Sequence, residues 1–267
     1  MRILQALADG HIVAKRNVIK IKRVPELLVF VVISPIMFVL LFAYVFGGSI
    51  DIPGSSYREF LIGGIFAQTV VFGSTFTGAG IADDMQKGII NRFRSLPMAR
   101  SAVLIGRTAS DVIYNVITLV IMALSGLVVG WRFHEGVLNA LLGFGLLLLF
   151  AYAFSWIMGY IGLLVPSVEV INNASFIVIF PMTFIANTFV PSENLPTVLR
   201  TFAEWNPVSA VTQAARELFG NLPPGLPDPT AWPLRNPVLY TLLWVVGIIA
   251  VFAPLAVRRY QSATQRA

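Results

Sequence analysis

The sequence predicts an all-α polytopic membrane protein with six transmembrane helices. Of its 267 residues, 57% are apolar and 12% are charged, about half the charged fraction of a soluble domain. Apolar runs of about twenty residues, long enough to cross a bilayer, recur along the chain. The Lys and Arg residues collect between these runs and at the chain ends, which is typical of membrane topology and requires no nucleic-acid partner.

The segment before the first run is basic and amphipathic. Residues 1–24 carry six of the nineteen Lys and Arg residues and place apolar side chains at three- and four-residue spacing. This pattern predicts an amphipathic helix in the cytoplasmic headgroup region, so membrane lipid is an expected partner. The apolar run that follows is too long for a signal peptide and lacks a small-residue cleavage site.

Six spans follow from the hydropathy pattern. They cover residues 27–46, 60–82, 109–129, 137–164, 171–189 and 238–257. The second is rich in glycine, which predicts close helix packing within the bundle or between subunits. Trp131, after the third span, fits an interfacial anchor on the outer side. Fourteen of the nineteen Lys and Arg residues then lie on the cytoplasmic side, which places both termini there.

A basic segment, residues 83–107, joins the second and third spans. Asp83 is expected to N-cap a short helix with apolar side chains at helical spacing, and Pro97 to end it. On pattern alone this helix either docks a soluble partner or lies on anionic lipid. Asp111 follows Arg107 by four residues, which favours a local ion pair over a proton relay.

The fifth span mixes phenylalanine with polar residues. Polar groups at that depth usually face protein or a water-filled route. Either these side chains line a transport route with part of the second span, or they are packed or lipid-facing. The route residues under the first interpretation are Phe66, Gln68, Phe72, Phe176, Phe180, Thr183 and Asn187.

An outer segment, residues 190–236, separates the last two spans. Asn206-Pro207 divides its first part into two short amphipathic helices, which either re-enter the outer leaflet or cap the bundle. The Pro-rich stretch 223–237 is expected to be an irregular loop.

The sequence contains no familiar catalytic motif. No Gly-Lys dipeptide occurs, so a G-x-x-x-x-G-K-[ST] phosphate loop is absent, and there is no cysteine. We therefore expect no ATP, magnesium or other metal site in this chain and no enzymatic activity of its own. An ion-gradient-driven secondary transporter is the alternative function, but no acidic residue lies near mid-membrane to support it.

Several stretches together resemble the membrane subunits of type-2 ABC exporters, close to the daunorubicin/doxorubicin-resistance permeases. They are "GIINRFRSLPMARSAVLIGR", "SVEVINNASFIVIFPMTFIANTFVPSENLP" and the later "NPV…A.REL", together with the basic start. The resemblance implies a multi-pass permease in the bacterial inner or plasma membrane. It would export amphipathic drugs, antibiotics or lipid-linked molecules such as glycolipid or polysaccharide.

The resemblance also implies partners and contact residues. The partners are two copies of an ABC ATP-binding subunit, which bind ATP and magnesium, and a second permease subunit that is identical or paralogous. In that family the segment matching Asp83 to Pro97 is the coupling helix that docks into the ATPase. The implied coupling residues of that segment are Asp83, Asp84, Gly88, Arg92, Phe93, Arg94 and Pro97. Glu169, a charge at an inner membrane boundary, is a further expected contact with the cytoplasmic partner.

Overall fold

The computed structural model describes residues 36–46, 56–89, 102–225 and 227–263, with isolated positions 12, 14 and 33, and every regular element in these ranges is helical. The helices are α1 (Ile36–Val45), α2 (Tyr57–Gly73), α3 (Thr75–Gln86), α4 (Ala102–Val128), α5 (Gly136–Gly162), α6 (Val168–Ile185), α7 (Thr197–Trp205), α8 (Pro207–Phe219), α9 (Trp232–Arg235) and α10 (Pro237–Ala263).

Five helices in the described residues are long and apolar enough to cross a membrane: Tyr57–Gln86, Ala102–Val128, Gly136–Gly162, Val168–Ile185 and Pro237–Ser262. A polytopic, all-helical membrane protein is therefore the right class. Of the first predicted span, residues 36–46 and the isolated position 33 are described, and Ile36–Val45 form the short apolar helix α1. The count of six spans and the side of the termini stay predictions. The amphipathic start, residues 1–24, lies outside the described residues except for positions 12 and 14.

The span formed by α2 and α3 is interrupted at Ser74. The hydroxyl of Ser74 donates to the carbonyl of Val71 at 2.6 Å, and that of Thr75 donates to the carbonyl of Phe72 at 2.7 Å. Such bonds back to the preceding turn bend helices. The break keeps both halves within one span of 30 residues, about 45 Å long at 1.5 Å per residue.

Glycine brings this span into the centre of the chain's own bundle. A Cβ at Gly78 would lie 2.6 Å from the carbonyl oxygen of Met158 on α5, and a Cβ at Gly162 would lie 2.9 Å from the Cα of Gly78. The backbones of α3 and α5 are therefore in direct contact where the two helices cross. The predicted close packing is found inside the chain, between α3 and α5, and these two glycines are not available to a second subunit.

An aromatic cluster closes the end of the bundle where α2 begins. Trp131 lies within 5.3 Å of both Phe66 and Phe219, measured between ring centroids. It is 1% exposed, and its indole nitrogen donates to Asn221 Oδ1 at 2.7 Å. The prediction of an interfacial anchor at Trp131 is therefore wrong, because a protein acceptor and not the headgroup region satisfies the indole N–H.

Two amphipathic helices, α7 and α8, meet at Asn206-Pro207. The Asn206 side chain caps α8 by accepting from the Val208 amide at 2.9 Å, and its Nδ2 donates to the carbonyl of Met182 on α6 at 2.7 Å. Pro207 occupies the first turn of α8, where no amide donor is required. The Pro-rich stretch that follows is not wholly irregular, because it contains α9 and because Pro237 begins α10.

Candidate coupling and transport surfaces

The predicted cap at Asp83 is wrong. Helix α3 continues through Asp83 and Asp84 and ends at Gln86, and the chain then turns at Gly88, whose φ of 64° is left-handed. Asp83 instead forms an ion pair with Lys87 at 2.7 Å, one helical turn later. The partial negative charge at the C-terminal end of a helix repels a carboxylate in the last turn, and the Lys87 cation offsets this repulsion. Any coupling helix therefore begins after Gly88.

The described coupling residues lie at one end of the bundle. Gln86 donates to the carbonyl of Pro166 at 3.2 Å, which joins the end of α3 to the turn before α6. Glu169 is exposed in the first turn of α6, next to this contact. Asp84 is 7% exposed. Arg92, Phe93, Arg94 and Pro97 lie outside the described residues.

A buried polar cluster, the α3–α4 clamp, connects the two helices that flank this segment. The Thr77 hydroxyl of α3 donates to the Asp111 carboxylate of α4. Arg107 lies 3.9 Å from the same carboxylate and donates to the carbonyl of Phe76 at 2.8 Å. The local Arg107–Asp111 pair predicted from their spacing is present. The clamp thus fixes the first turn of α3 to the N-terminal part of α4.

Phenylalanines form a half-exposed ladder along α6. Phe176, Phe180 and Phe184 are spaced four residues apart, and their rings stack at centroid distances of 4.9 and 4.0 Å. Phe189 continues the row at 4.8 Å from Phe184, and Phe42 of α1 lies 4.7 Å from Phe189. We call these five residues the phenylalanine ladder.

The ladder presents an open aromatic face. Phe176, Phe180 and Phe184 are 56%, 37% and 38% exposed. Phe72 of α2 packs beside its far end, with its ring centroid 6.5 Å from that of Phe176. Predicted route residues Phe72, Phe176 and Phe180 are therefore neighbours on one surface.

The other predicted route residues are buried. Phe66 is fully enclosed in the aromatic cluster, and Thr183 is fully buried with its hydroxyl donating to the carbonyl of Ile179 at 2.9 Å. Gln68 is 3% exposed, and its Oε1 has no hydrogen-bond partner among the described residues. Asn187 is 4% exposed and donates to Gln213 at 3.3 Å. The sequence identifies these side chains as unusual but does not tell which of them faces outward.

Arg216 of α8, which sequence reasoning counts only as an outer-loop charge, is completely buried. Its guanidinium donates to three carbonyl oxygens, those of Phe60, Asn187 and Thr188, each at 2.8 Å. It also lies 3.5 Å from the centre of the Phe60 ring, a cation–π distance. Arg216 thereby joins α2, α8 and the irregular stretch after α6. In the sequence, only its position in the "REL" stretch indicates that Arg216 differs from the other outer-loop cations.

Burial shifts the pKa values of Arg216 and Glu217, the two charged residues of that stretch. It lowers the pKa of Arg216 to about 9, which leaves the guanidinium charged at neutral pH. Burial also raises the pKa of Glu217 to about 7, so its carboxyl group is partly protonated there.

This chain is similar to known proteins over most of its length. Residues 10–219 match the family described as "ABC-2 type transporter". The daunorubicin resistance ABC transporter permease protein DrrB1 of Streptomyces coeruleorubidus is 32% identical over 92% of this chain and 84% of its own length.

Two Mycobacterium tuberculosis proteins are more distant relatives. The probable doxorubicin resistance ABC transporter permease protein DrrC is 23% identical over 87% of this chain and 81% of its own length. The doxorubicin resistance ABC transporter permease protein DrrB is 26% identical over 80% of this chain and 73% of its own length.

Proposed function

We propose a mechanism on the premise that this chain belongs to the ABC-2 type transporter family, which the match over residues 10–219 and the 32% identity to a relative establish. It is a permease subunit of an ABC drug exporter and a multi-pass protein of the bacterial membrane. In our proposal it moves aromatic, amphipathic drugs or antibiotics outward, and the energy comes from ATP hydrolysed on a separate chain.

The observation that carries the choice of cargo is the phenylalanine ladder. Its half-exposed rings offer an aromatic surface, and an aromatic pair is worth about 0.5–1.5 kcal/mol beyond the burial of its area. Planar aromatic drugs, for which the three relatives described above are named, suit such a surface. A lipid-linked molecule with a saturated chain would gain burial but no stacking, so we rank that class second.

The route runs along the ladder in this proposal. Phe72, Phe176 and Phe180 contact the cargo directly. Phe66, Thr183 and Gln68 are buried behind this face, so we assign them to its support. Asn187 lies between Phe184 and Phe189 in sequence, at the end of the row.

In this proposal the ATP-binding subunit acts on the other end of the bundle, where α3 ends. We assign the contact with the ATP-binding subunit to the segment after Gly88, including Arg92, Phe93, Arg94 and Pro97, with Asp83, Asp84 and Glu169 beside it. Two ATP-binding subunits and a second permease, identical or paralogous, complete the proposed assembly. ATP and magnesium are held by those subunits.

The α3–α4 clamp explains how a push on this segment would reach the membrane spans. The segment is attached to α3 on one side and α4 on the other, and Thr77, Arg107 and Asp111 fix these helices to each other. A displacement of the segment would therefore move both helices as one body. Since α3 touches α5 backbone to backbone at Gly78, the movement would continue into the centre of the bundle.

Uptake of daunorubicin into inside-out membrane vesicles tests this function. We expect uptake that requires ATP and that falls several-fold when Phe176 and Phe180 are both replaced by Ala, because the loss of two stacking rings weakens cargo binding. The matched control is Ile177→Ala with Val178→Ala, which removes two exposed apolar side chains, 71% and 64% exposed, from the same helix outside the ladder.

Two results would contradict the proposal. Equal uptake by the phenylalanine and control variants would remove the ladder from the route. Uptake that persists without ATP and collapses with the proton gradient would favour the secondary-transporter alternative.

A further inference from the structure

Two arginines from different helices meet at the end of α4, beside the start of α2. Arg58, in the first turn of α2, donates from Nη1 to the carbonyl of Val129 at 3.4 Å. Arg132 donates from Nη1 to the carbonyls of Leu127 and Trp131, both at 2.7 Å. The partial negative charge at the C-terminal end of α4 favours both cations in these positions.

Most donors of the two guanidinium groups remain available to a ligand. A guanidinium carries N–H groups on all three of its nitrogens, and the hydrogen bonds to the end of α4 use only Nη1 of each residue. Arg132 is exposed and Arg58 is half-buried. The Arg58 guanidinium also lies 5.1 Å from the centre of the ring of Tyr44, an exposed residue of α1. Tyrosine and arginine together are typical of the level of the lipid headgroups.

The acidic residues nearest in sequence are directed towards a different helix. Glu59 forms an ion pair with His134 at 3.0 Å, and the His134 amide donates to the carbonyl of Phe219 at the end of α8. A Cβ at Gly220 would lie 3.0 Å from Cγ of Glu135. These carboxylates therefore lie by the end of α8, and none in the described part of the chain forms an ion pair with either arginine.

An exposed apolar face of α4 leads away from the two arginines. Val128 is 85% exposed, and Leu124 and Val120 are more than half exposed. Ile117 and Ile113 continue the same face at three- and four-residue spacing. We call these five residues the α4 stripe. It is about 20 Å long at 1.5 Å per residue, enough to cover the hydrocarbon part of one leaflet, about 15 Å.

We infer that Arg58 and Arg132 bind the phosphate of an anionic phospholipid, and that one of its acyl chains lies along the α4 stripe. Guanidinium groups donate to phosphate oxygens in pairs, and two cations without a carboxylate partner favour a headgroup with net negative charge. The two parts of the site are continuous, because the stripe begins at Val128 and Arg58 donates to the next carbonyl. The inference makes no assumption about the cargo or the source of energy.

Retention of two lipids that differ only in their headgroup tests the site. The permease complex, freed of native lipid in detergent, is mixed with equal amounts of dioleoyl phosphatidylglycerol and dioleoyl phosphatidylcholine, and native mass spectrometry counts the bound molecules. We expect the anionic lipid to be retained about fivefold more than the zwitterionic one. Arg58→Gln with Arg132→Gln should reduce this preference to about twofold or less, because Gln retains an N–H donor for the α4 carbonyls but has no charge.

Two further variants separate this site from a general attraction of anionic lipid to cations. Arg200→Gln with Arg235→Gln removes the same charge from α7 and α9 and should retain the full preference. Arg58→Lys with Arg132→Lys keeps both charges and should recover most of it. Equal retention of the two lipids by the wild type, or equal losses in the two pairs of Gln substitutions, would overturn the site.

Glycerophosphoglycerol, which is the anionic headgroup without acyl chains, tests the α4 stripe. At equal concentration it should displace little of the bound phosphatidylglycerol, because it has no chain to bury. Full displacement would contradict the lipid site and identify a soluble phosphate ester as the ligand. A wild-type complex that retains no phosphatidylglycerol would also overturn it, and would indicate that another occupant, such as a second permease subunit, covers α4.

Discussion

Replacing Arg216 by Leu should strongly destabilise the folded permease. The substitution leaves the carbonyl oxygens of Phe60, Asn187 and Thr188 without their donor inside the protein. Each buried acceptor left unpaired costs about 1–3 kcal/mol, so we expect a loss of several kcal/mol and much less folded protein in the membrane. Thermal unfolding of the purified complex, with its yield by size-exclusion chromatography, measures the effect.

Two further variants isolate the cause. Arg216→Lys keeps the charge but lacks the planar fork of donors that reaches three carbonyls at once, so it should recover only part of the stability. Arg235→Leu removes an exposed cation from α9 and should be nearly neutral. A melting temperature for Arg216→Leu equal to that of the wild type would show that the three carbonyls are satisfied without the guanidinium.

Replacing Gly78 or Gly162 by Ala should separate α3 from α5. At both positions the new methyl group would overlap backbone atoms of the facing helix, which cannot move aside as a flexible side chain can. We expect each variant to lose about 1–3 kcal/mol of stability, as overpacking typically costs, and to lose transport as well. The measurements are thermal unfolding and ATP-driven daunorubicin uptake.

Gly145 supplies the matched control for this prediction. It lies in α5, as Gly162 does, but a Cβ there would meet nothing within 4 Å. Gly145→Ala should therefore be neutral or stabilise the helix by up to about 1 kcal/mol. Equal losses in Gly145→Ala and Gly162→Ala would mean that helix propensity, and not the contact between α3 and α5, determines the effect.

Local pattern was enough to predict the five membrane-spanning helices found among the described residues and the division at Asn206-Pro207. Each depends on residues adjacent in the chain, such as an apolar run or an Asn that caps the helix started by Pro207. The end of the second span was less predictable, because two aspartates favour a helix start in isolation. In the structure the helix continues through them to Gln86, and Lys87 compensates the charge.

Features set by tertiary packing were beyond sequence reasoning. A charge count treats Arg216 as one exposed cation among several, whereas the fold surrounds it with three carbonyl acceptors. In the same way, Phe66 and Phe180 look alike in sequence, but one lies inside an aromatic cluster and the other is 37% exposed. When a helix is apolar on all sides, the side that packs against other helices depends on where those helices lie, and the sequence of the helix alone does not give this.

Purification of this chain in mild detergent from its native host tests the central claim, that a separate ATPase drives this permease through the segment after Gly88. We predict that a stoichiometric ATP-binding subunit co-purifies and that it is lost from Phe93→Ala with Arg94→Ala. It should be retained in the matched variant Phe202→Ala with Arg235→Ala, which changes an exposed phenylalanine and arginine beyond α6. A chain that purifies alone and transports drug without any ATPase would contradict the account.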